Sequence, residues 1–301
     1  MLLAPLLAGG ACEKKTKAPD TGAVTAMDHA GSSGSAAPTA PEAPADNTPL
    51  AGIDTSKLPA EKQALFFTLV NSLRSPCGKA HSLRTSFTSD TSCKRAPFAV
   101  RYVVSLLEDD ASEQIARDEY SKHYEKQAPI ATLDLSKAPH IGPADAPIKL
   151  VECFDYECPH CAVFKGAMEQ ILADEQGKIS VSFLMFPIVS KHPDAHSAAQ
   201  AALAADQQGK FKEMHDRLFA ETPKHSKDAV MGYAKDLGLD LKKFAAAYDA
   251  TSGQVDSDLA QSEAAGVDST PTLFFQGRKY EGPMIPKYIE MWIDEELAVN
   301  R

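Results

Sequence analysis

The sequence predicts an α/β fold that follows a small helical segment and a disordered N-terminal tether. Residues 148–156 are strand-like, and the apolar residues after Cys158 recur at helical spacing, so a strand leads directly into a helix. Residues 57–126 contain helix-like apolar spacing. Residues 13–56 contain hardly any aromatic or branched aliphatic residue, which argues against a packed core there.

Length and composition describe a globular protein without an integral membrane segment. The chain has 301 residues, of which 44% are hydrophobic and 24% charged, and this suits one large domain or two small ones. Its apolar runs fall short of the roughly 18 to 20 residues that cross a bilayer. The formal net charge of -10 argues against binding to a phosphate backbone, so we expect no nucleic-acid partner.

Residues 1–12 resemble a bacterial lipoprotein signal, since a short apolar run leads directly to Cys12. No Lys or Arg precedes that run, and Gly9 and Gly10 differ from the residues that the cleavage motif prefers. We expect export, with Cys12 as the site of lipidation and a cleaved or frayed N-terminus as the alternative. Residues 13–56 are then a disordered linker spanning roughly 35 Å, and the protein touches a membrane only through this anchor.

Residues 57–126 are predicted to form a small helical segment that is closed by a disulfide. Cys77 and Cys93 lie in the polar connection between two helical stretches, where Pro76 and Gly78 mark a turn. In an oxidising compartment, a bond that closes a loop of about 15 residues contributes roughly 3 kcal/mol on the chain-entropy model. The sequence therefore predicts a structural disulfide, with a second redox pair as the alternative.

The most informative stretch is residues 142–161, GPADAPIKLVECFDYECPHC. Cys158 lies where the strand gives way to the helix, and the unpaired N–H groups and partial positive charge of a helix N-terminus favour a thiolate. Pro159 suits the start of a helix because its missing N–H is not needed there. The side chain of His160 is expected to donate to, or attract, the Cys158 sulfur. These features predict that Cys158 is the exposed nucleophile and Cys161 the resolving thiol.

A CxxC pair is also half of a zinc site, so metal binding is an alternative. A structural zinc site needs four ligands, and the other cysteines do not form a second CxxC. His192 and His196 are four residues apart, but the Pro-Asp pair between them favours a surface helix start over a metal site. We expect no metal and no cofactor. The odd cysteine, Cys153, alternates with Glu152 along the strand, which predicts a small buried residue on the other side.

The stretch around CPHC resembles the DsbA-type disulfide oxidoreductases, which have a thioredoxin fold. The likeness begins with CPHC after an acid-bearing strand and extends over residues 130–301. It implies that Glu152 is a buried acid near Cys161 that assists proton transfer, with an exposed strand carboxylate as the alternative. It also implies that Thr270 and Pro271 form the cis-proline loop beside the cysteines.

The resemblance further implies a helical insertion within the thioredoxin core and a second edge strand near the C-terminus. Four segments with helical spacing supply the insertion: residues 198–208, 210–220, 226–237 and 241–248. Residues 277–282 fit the turn and the edge strand. His215 and His225 lie in or near these helices, and the sequence identifies no partner for either.

Thiol:disulfide exchange at Cys158 and Cys161 is the activity that the resemblance implies, and a Pro-His pair between the cysteines is associated with the oxidising members. We expect an enzyme of the periplasm or cell envelope that oxidises unfolded or reduced exported proteins through a mixed disulfide on Cys158. A membrane thiol oxidase, or a reductase, is the expected electron partner. Thr270 leaves a disulfide isomerase or reductase as one alternative, and a metallochaperone or scaffold lipoprotein is the other.

Overall fold

The computed structural model describes residues 46–126 and 128–300. The expected signal segment, its Cys12 and the linker up to residue 45 lie outside these residues. The described residues fall in one unit, in which a helical segment precedes a mixed sheet covered by helices. Among them, no helix is both long and apolar enough to cross a bilayer.

Within residues 46–126, four helices and a π-helical turn form the helical segment: α1 (Ala60–Ser72), α2 (Leu83–Thr88), α3 (Ala96–Glu108), α4 (Glu113–Tyr120) and the turn Ser121–Glu125. The hydroxyl groups of Ser82 and Ser112 cap α2 and α4 by accepting a main-chain N–H of the first turn. Helix α3 packs against α1 and buries Val100, Val103 and Leu107. These side chains form the apolar core of the segment.

The ordered chain begins earlier than predicted, because residues 46–56 pack on the helical segment. Leu50 is buried in the apolar core. The buried Arg84 donates to the Asp46 carboxylate at 2.8 Å and to the Thr48 carbonyl oxygen at 2.6 Å. The prediction of a disordered linker was therefore wrong for these residues. The average composition of residues 13–56 does not show that Leu50 and the ion pair between Asp46 and Arg84 hold this end of the stretch in place.

Cys77 and Cys93 form a disulfide across the connection that contains α2. Cys93 is buried, whereas Cys77 is exposed to solvent. The two residues are 16 apart in the chain, so the bond closes a loop of moderate length.

Replacing both Cys77 and Cys93 with Ser is expected to lower the free energy of unfolding by about 3 kcal/mol, because the unfolded chain regains the entropy of the open loop. Urea unfolding of the parent and the double variant measures the difference. The thiolate titration of Cys158 serves as the control and is expected to stay unchanged. A much smaller loss of stability would contradict a structural role for the bond.

In the described part of the chain, five strands form one sheet in the order β1-β3-β2-β4-β5: β1 (His140–Ile141), β2 (Ile148–Phe154), β3 (Ile179–Met185), β4 (Thr272–Phe275) and β5 (Arg278–Lys279). Strands β2 and β3 are parallel, and every other pairing is antiparallel. All residues of β2 except Lys149 are buried. The strand that leads to the cysteine pair is therefore central and covered on both faces.

Residues 128–300 contain seven helices: α5 (Pro159–Asp174), α6 (Ala195–Asp206), α7 (Phe211–Glu221), α8 (Lys227–Asp236), α9 (Leu241–Ala250), α10 (Ser252–Ala264) and α11 (Pro286–Val299). Helices α6 to α10 lie between β3 and β4 and form the insertion. The first four match the predicted segments. Helix α10 was missed because Asp258 and Ser262 occupy its buried face, and their polar groups find partners only in the folded chain.

Helix α11 packs on both the helical segment and the sheet. Tyr288 lies in the apolar core of the helical segment, whereas Ile289 and Ile293 lie in the core around the sheet. The guanidinium of Arg95 binds the carboxylates of Glu295 and Glu296 on the same helix. Helix α11 therefore packs against both regions that the sequence predicted, residues 57–126 and residues 130–301.

Candidate active site

Cys158 and Cys161 lie at the start of α5, directly after the central strand. Strand β2 ends at Phe154, a short turn follows, and Cys158 is the N-cap of α5 with Pro159 as its first residue. A proline at this place costs no helical hydrogen bond. Both cysteines are thiols in this structure. The free N–H groups of the first helical turn therefore lie close to the Cys158 sulfur.

The surroundings of Cys158 stabilise its thiolate. A hydrogen bond from the Cys161 thiol has the largest effect and, with the N–H groups of Cys161 and His160, lowers the pKa of Cys158 to about 5. Loss of solvation acts in the opposite direction but is outweighed. A thiol with this pKa is almost fully ionised at neutral pH.

Cys158 is less accessible than the sequence predicted. Only 5% of the residue is exposed. Its sulfur lies 3.5 Å from the carbonyl oxygen of Thr270, in the loop before β4. The expectation of an exposed nucleophile was wrong because this loop, distant in sequence, covers the sulfur.

His160 acts on the Cys158 sulfur through its main chain. Its N–H contributes to the lowered pKa of Cys158, while its imidazole is exposed to solvent. The sequence predicted that the side chain would make this contribution. The difference is geometric, because N–H groups in the first turn of a helix point toward the N-cap.

Cys161 is the buried member of the pair. It has no exposed surface, and burial raises the pKa of its thiol well above the ordinary value. The main-chain N–H of Asp155 donates to its sulfur at 3.5 Å. At neutral pH the site therefore combines one ionised and one protonated sulfur, as thiol exchange requires.

Glu152 lies in the middle of β2, between Phe183 of β3 and Leu273 of β4. Its side chain is buried rather than exposed, and loss of solvation raises its pKa to about 8. When Glu152 is ionised, its charge raises the pKa of Cys161, so the two groups interact electrostatically. A carboxyl that stays mostly protonated at neutral pH can supply a proton beside a sulfur.

Cys153 faces the opposite side of the sheet. It is fully buried in a small cluster with Val151 and Leu184, and its sulfur lies 3.4 Å from the Ser262 hydroxyl oxygen. Burial raises the pKa of this thiol to about 12. The prediction of a small buried residue is confirmed.

The loop before β4 carries Thr270 and Pro271. The peptide bond between them is cis, as the DsbA resemblance implied. Both Thr270 and the following Thr272 are buried, and Thr272 donates its hydroxyl hydrogen to the Ser269 carbonyl oxygen at 2.8 Å. This bond helps to hold the loop over Cys158.

Each of the three residues in the turn between β2 and Cys158 pairs with a histidine from beyond β3. The distances are 2.8 Å for Asp155 to His192, 3.1 Å for Tyr156 to His215 and 3.3 Å for Glu157 to His225. Sequence reasoning missed all three pairs, since no spacing connects residues so far apart in the chain. The polar run Asp-Tyr-Glu between a buried strand and a cysteine was the available signal, because such side chains need hydrogen-bond partners when they are buried.

The structure separates His192 from His196. The ring of His196 contacts Gln200 at 3.1 Å and Asp256 at 3.2 Å, while His192 faces Asp155. No cluster of three or more His, Cys, Asp or Glu side chains able to hold a metal ion occurs within the residues that the structure describes.

Comparison with known proteins places this arrangement in a family. The thioredoxin family model Thioredoxin_4 matches residues 134–295. Curated relatives include the Na(+)/H(+) antiporters NhaA 3 of Salinispora tropica and NhaA of Herminiimonas arsenicoxydans, both 36% identical over matches that span 47% of this chain and 22% of each relative. The chain thus spans about a fifth of the length of the curated relatives it matches.

The chain is also similar to a solved structure, BdbD from Bacillus subtilis in its oxidised form. The match covers 57% of this chain and 99% of BdbD, with a TM-score of 0.51 and 23% identity. At this identity the likeness supports the fold. The family match covers more than half of the chain and includes Glu152, both cysteines of CPHC and the loop of Pro271. The chain therefore belongs to the thioredoxin family.

Proposed function

We propose that this protein is a DsbA-like thiol:disulfide oxidoreductase, and within that class a dithiol oxidase that donates the Cys158–Cys161 disulfide to proteins with free thiols. One feature carries the proposal: the hydrogen bond from the Cys161 thiol and the N–H groups at the start of α5 lower the pKa of Cys158 to about 5. Reduction of the disulfide releases Cys158 as a stabilised thiolate, so the reduced form is favoured. A protein whose reduced form is favoured oxidises its partners.

The pKa shift has a definite size and sign. The interval between a pKa of about 5 and pH 7 corresponds to about 2.7 kcal/mol, or about 60 mV of added oxidising power. Because the pKa is depressed, the thiolate stabilises the reduced protein at pH values above about 5. That stabilisation is lost as the pH falls through the pKa.

The exchange proceeds in two balanced steps. A substrate thiolate attacks Cys158, breaks the bond to Cys161 and forms a mixed disulfide, while Cys161 leaves and takes up a proton. A second substrate thiolate then attacks the substrate sulfur of the mixed disulfide and releases Cys158 as a thiolate. The substrate loses two electrons and the cysteine pair gains them. Glu152, mostly protonated at neutral pH, supplies the proton to Cys161.

Reduced or unfolded exported proteins are the substrates in this proposal, and the periplasm or cell envelope is the location. A membrane thiol oxidase then removes the electrons from the reduced pair. The disulfide between Cys77 and Cys93 supports an oxidising compartment, where such bonds persist. Cys12 is the proposed site of a lipid anchor.

The direction of electron flow is tested by the redox equilibrium with glutathione and by the ultraviolet absorbance of the thiolate. We expect the absorbance of the reduced protein to titrate with a midpoint of about 5. At neutral pH the reduced form is expected to have the higher thermal midpoint. Cys158→Ser is the control, since it removes the titrating sulfur. A midpoint above neutral pH, together with a more stable oxidised form, would instead favour a reductase or isomerase.

A further inference from the structure

The turn that carries Cys158 is organised around the carboxylate of Asp155. This side chain is fully buried. Its Oδ1 accepts the N–H of Glu157 at 2.7 Å, which closes the turn on itself. Its Oδ2 accepts the N–H of Ile188 at 2.7 Å and lies 2.8 Å from Nδ1 of His192. The carboxylate thus ties the turn to the segment that follows β3.

The main chain of Asp155 contacts both cysteines of the pair. Its N–H donates to Cys161 Sγ at 3.5 Å, and its carbonyl oxygen accepts the N–H of Cys158 at 3.2 Å. A displacement of Asp155 therefore moves the two sulfurs relative to each other. The hydrogen bond from the Cys161 thiol, which has the largest effect on the pKa of Cys158, depends on that relative position.

His192 is placed to hold this carboxylate from outside the turn. Its own N–H donates to the carbonyl oxygen of Ile188 at 2.9 Å, and the N–H of Ile188 donates to Asp155. The positions of His192, Ile188 and Asp155 are therefore coupled. The His192 side chain is 18% exposed, whereas the Asp155 side chain has no exposed surface. An ionised carboxylate only accepts hydrogen bonds, so Nδ1 of His192 carries the proton and donates it. Without this donor, a buried carboxylate is left partly unsatisfied.

We propose that His192 is a positioning residue for the cysteine pair, which acts through Asp155 to set the relative position of the two sulfurs and so how readily the disulfide is reduced. The proposal rests on the exchange function inferred above. It concerns a residue that has no role in that reaction as written, since His192 contacts the carboxylate and not a sulfur.

Two substitutions at His192 separate its hydrogen bond from its bulk. In His192→Asn the amide nitrogen lies near the position of Nδ1, so the donor to Asp155 is kept. In His192→Gln the amide lies farther out, near the position of Nε2, so the donor is lost although size and polarity are retained. His196→Gln is the matched control, because it makes the same change at a ring that contacts Gln200 and Asp256.

Of the three variants, only His192→Gln is expected to be a weaker oxidant than the parent. Its redox equilibrium with glutathione should shift about tenfold in favour of the Cys158–Cys161 disulfide, which corresponds to about 30 mV for a two-electron couple. The thiolate titration of Cys158 should move to higher pH in the same protein. His192→Asn and His196→Gln should behave as the parent in both measurements.

Thermal midpoints and near-ultraviolet circular dichroism establish that each variant is folded. A folded His192→Gln protein with the parent's titration and equilibrium constant would overturn the positioning role. If that variant does not fold, Asp155→Asn provides the same test. Its amide oxygen keeps the bond from the N–H of Glu157, but the NH2 group that replaces Oδ2 can accept neither from Ile188 nor from His192. A folded Asp155→Asn protein with parental values would also overturn it.

Failure of the oxidase proposal gives a different result. In that case the parent itself titrates near the ordinary value of a thiol. The difference between His192→Gln and His192→Asn still reports whether His192 positions the pair.

Discussion

Cys161→Ala is expected to accumulate mixed disulfides between Cys158 and substrate proteins. The Cys158 thiolate remains reactive, but the neighbouring sulfur that would displace the substrate is gone. Non-reducing electrophoresis of protein recovered from the cell envelope should show adducts that a reductant removes. Cys158→Ala is expected to abolish both the adducts and the oxidation of a reduced model substrate, since the remaining thiol is buried and protonated.

Cys153→Ala is the matched control for both variants. Its sulfur is also a buried free thiol near the end of β2, but it faces the other side of the sheet. We expect it to retain full activity and to form no adducts. Oxidation of the model substrate by the Cys158→Ala protein would show that the nucleophile has been assigned to the wrong sulfur.

Glu152→Gln is expected to remove a large pH dependence of stability. The pKa of Glu152 rises from 4.5 to about 8 on folding, so the folded protein keeps a proton that the unfolded chain has already released in this range. Stability therefore falls as the pH rises between these values, by up to about 5 kcal/mol. The difference in unfolding free energy between the two proteins should grow in favour of Gln from pH 5 to pH 8.

The oxidised protein is the form to measure, because Cys158 does not titrate there. In the reduced form, the lowered pKa of Cys158 gives the opposite trend, with stability rising above about pH 5. Equal pH profiles for the parent and Glu152→Gln would show that the pKa of Glu152 does not rise on folding.

The same substitution is expected to slow reduction of the disulfide by substrate thiols about a hundredfold at neutral pH, because Cys161 then leaves without a nearby proton donor. Asp258→Asn is the control, since Asp258 is another buried carboxyl, with its pKa raised to about 6. It accepts the N–H of Met185 on the Cys153 side of the sheet. An unchanged rate in Glu152→Gln would remove Glu152 from the proton path.

Local patterns were enough to predict much of the fold. The run from Ile148 to Cys161 predicted a strand, a turn and a helix with the cysteine pair at its start, and the structure has this arrangement. Four helices of the insertion were predicted from apolar spacing. These features could be predicted because a helix or strand with one buried face repeats at a fixed period in sequence.

Features that depend on distant partners were harder to predict. Leu50 and Asp46 belong to the folded chain because Arg84 and the apolar core hold them, whereas the local composition suggested disorder. Helix α10 was missed because a buried polar face has no apolar period. Cys158 is covered by the loop of Thr270, which no local pattern places there.

The CxxC pair and its place at the start of a helix could be predicted from the local sequence, and the resemblance to DsbA-type proteins implied a thioredoxin core with a helical insertion around it. The ionisation of these groups and the contacts that hold them depend on the tertiary structure. Glu152 stays mostly protonated at neutral pH because packing on its face of the sheet buries its side chain, and Asp155 is fixed by His192 from another part of the chain. Ionisation depends on solvation and on charges a few ångströms away, and both are set by packing rather than by neighbours in sequence.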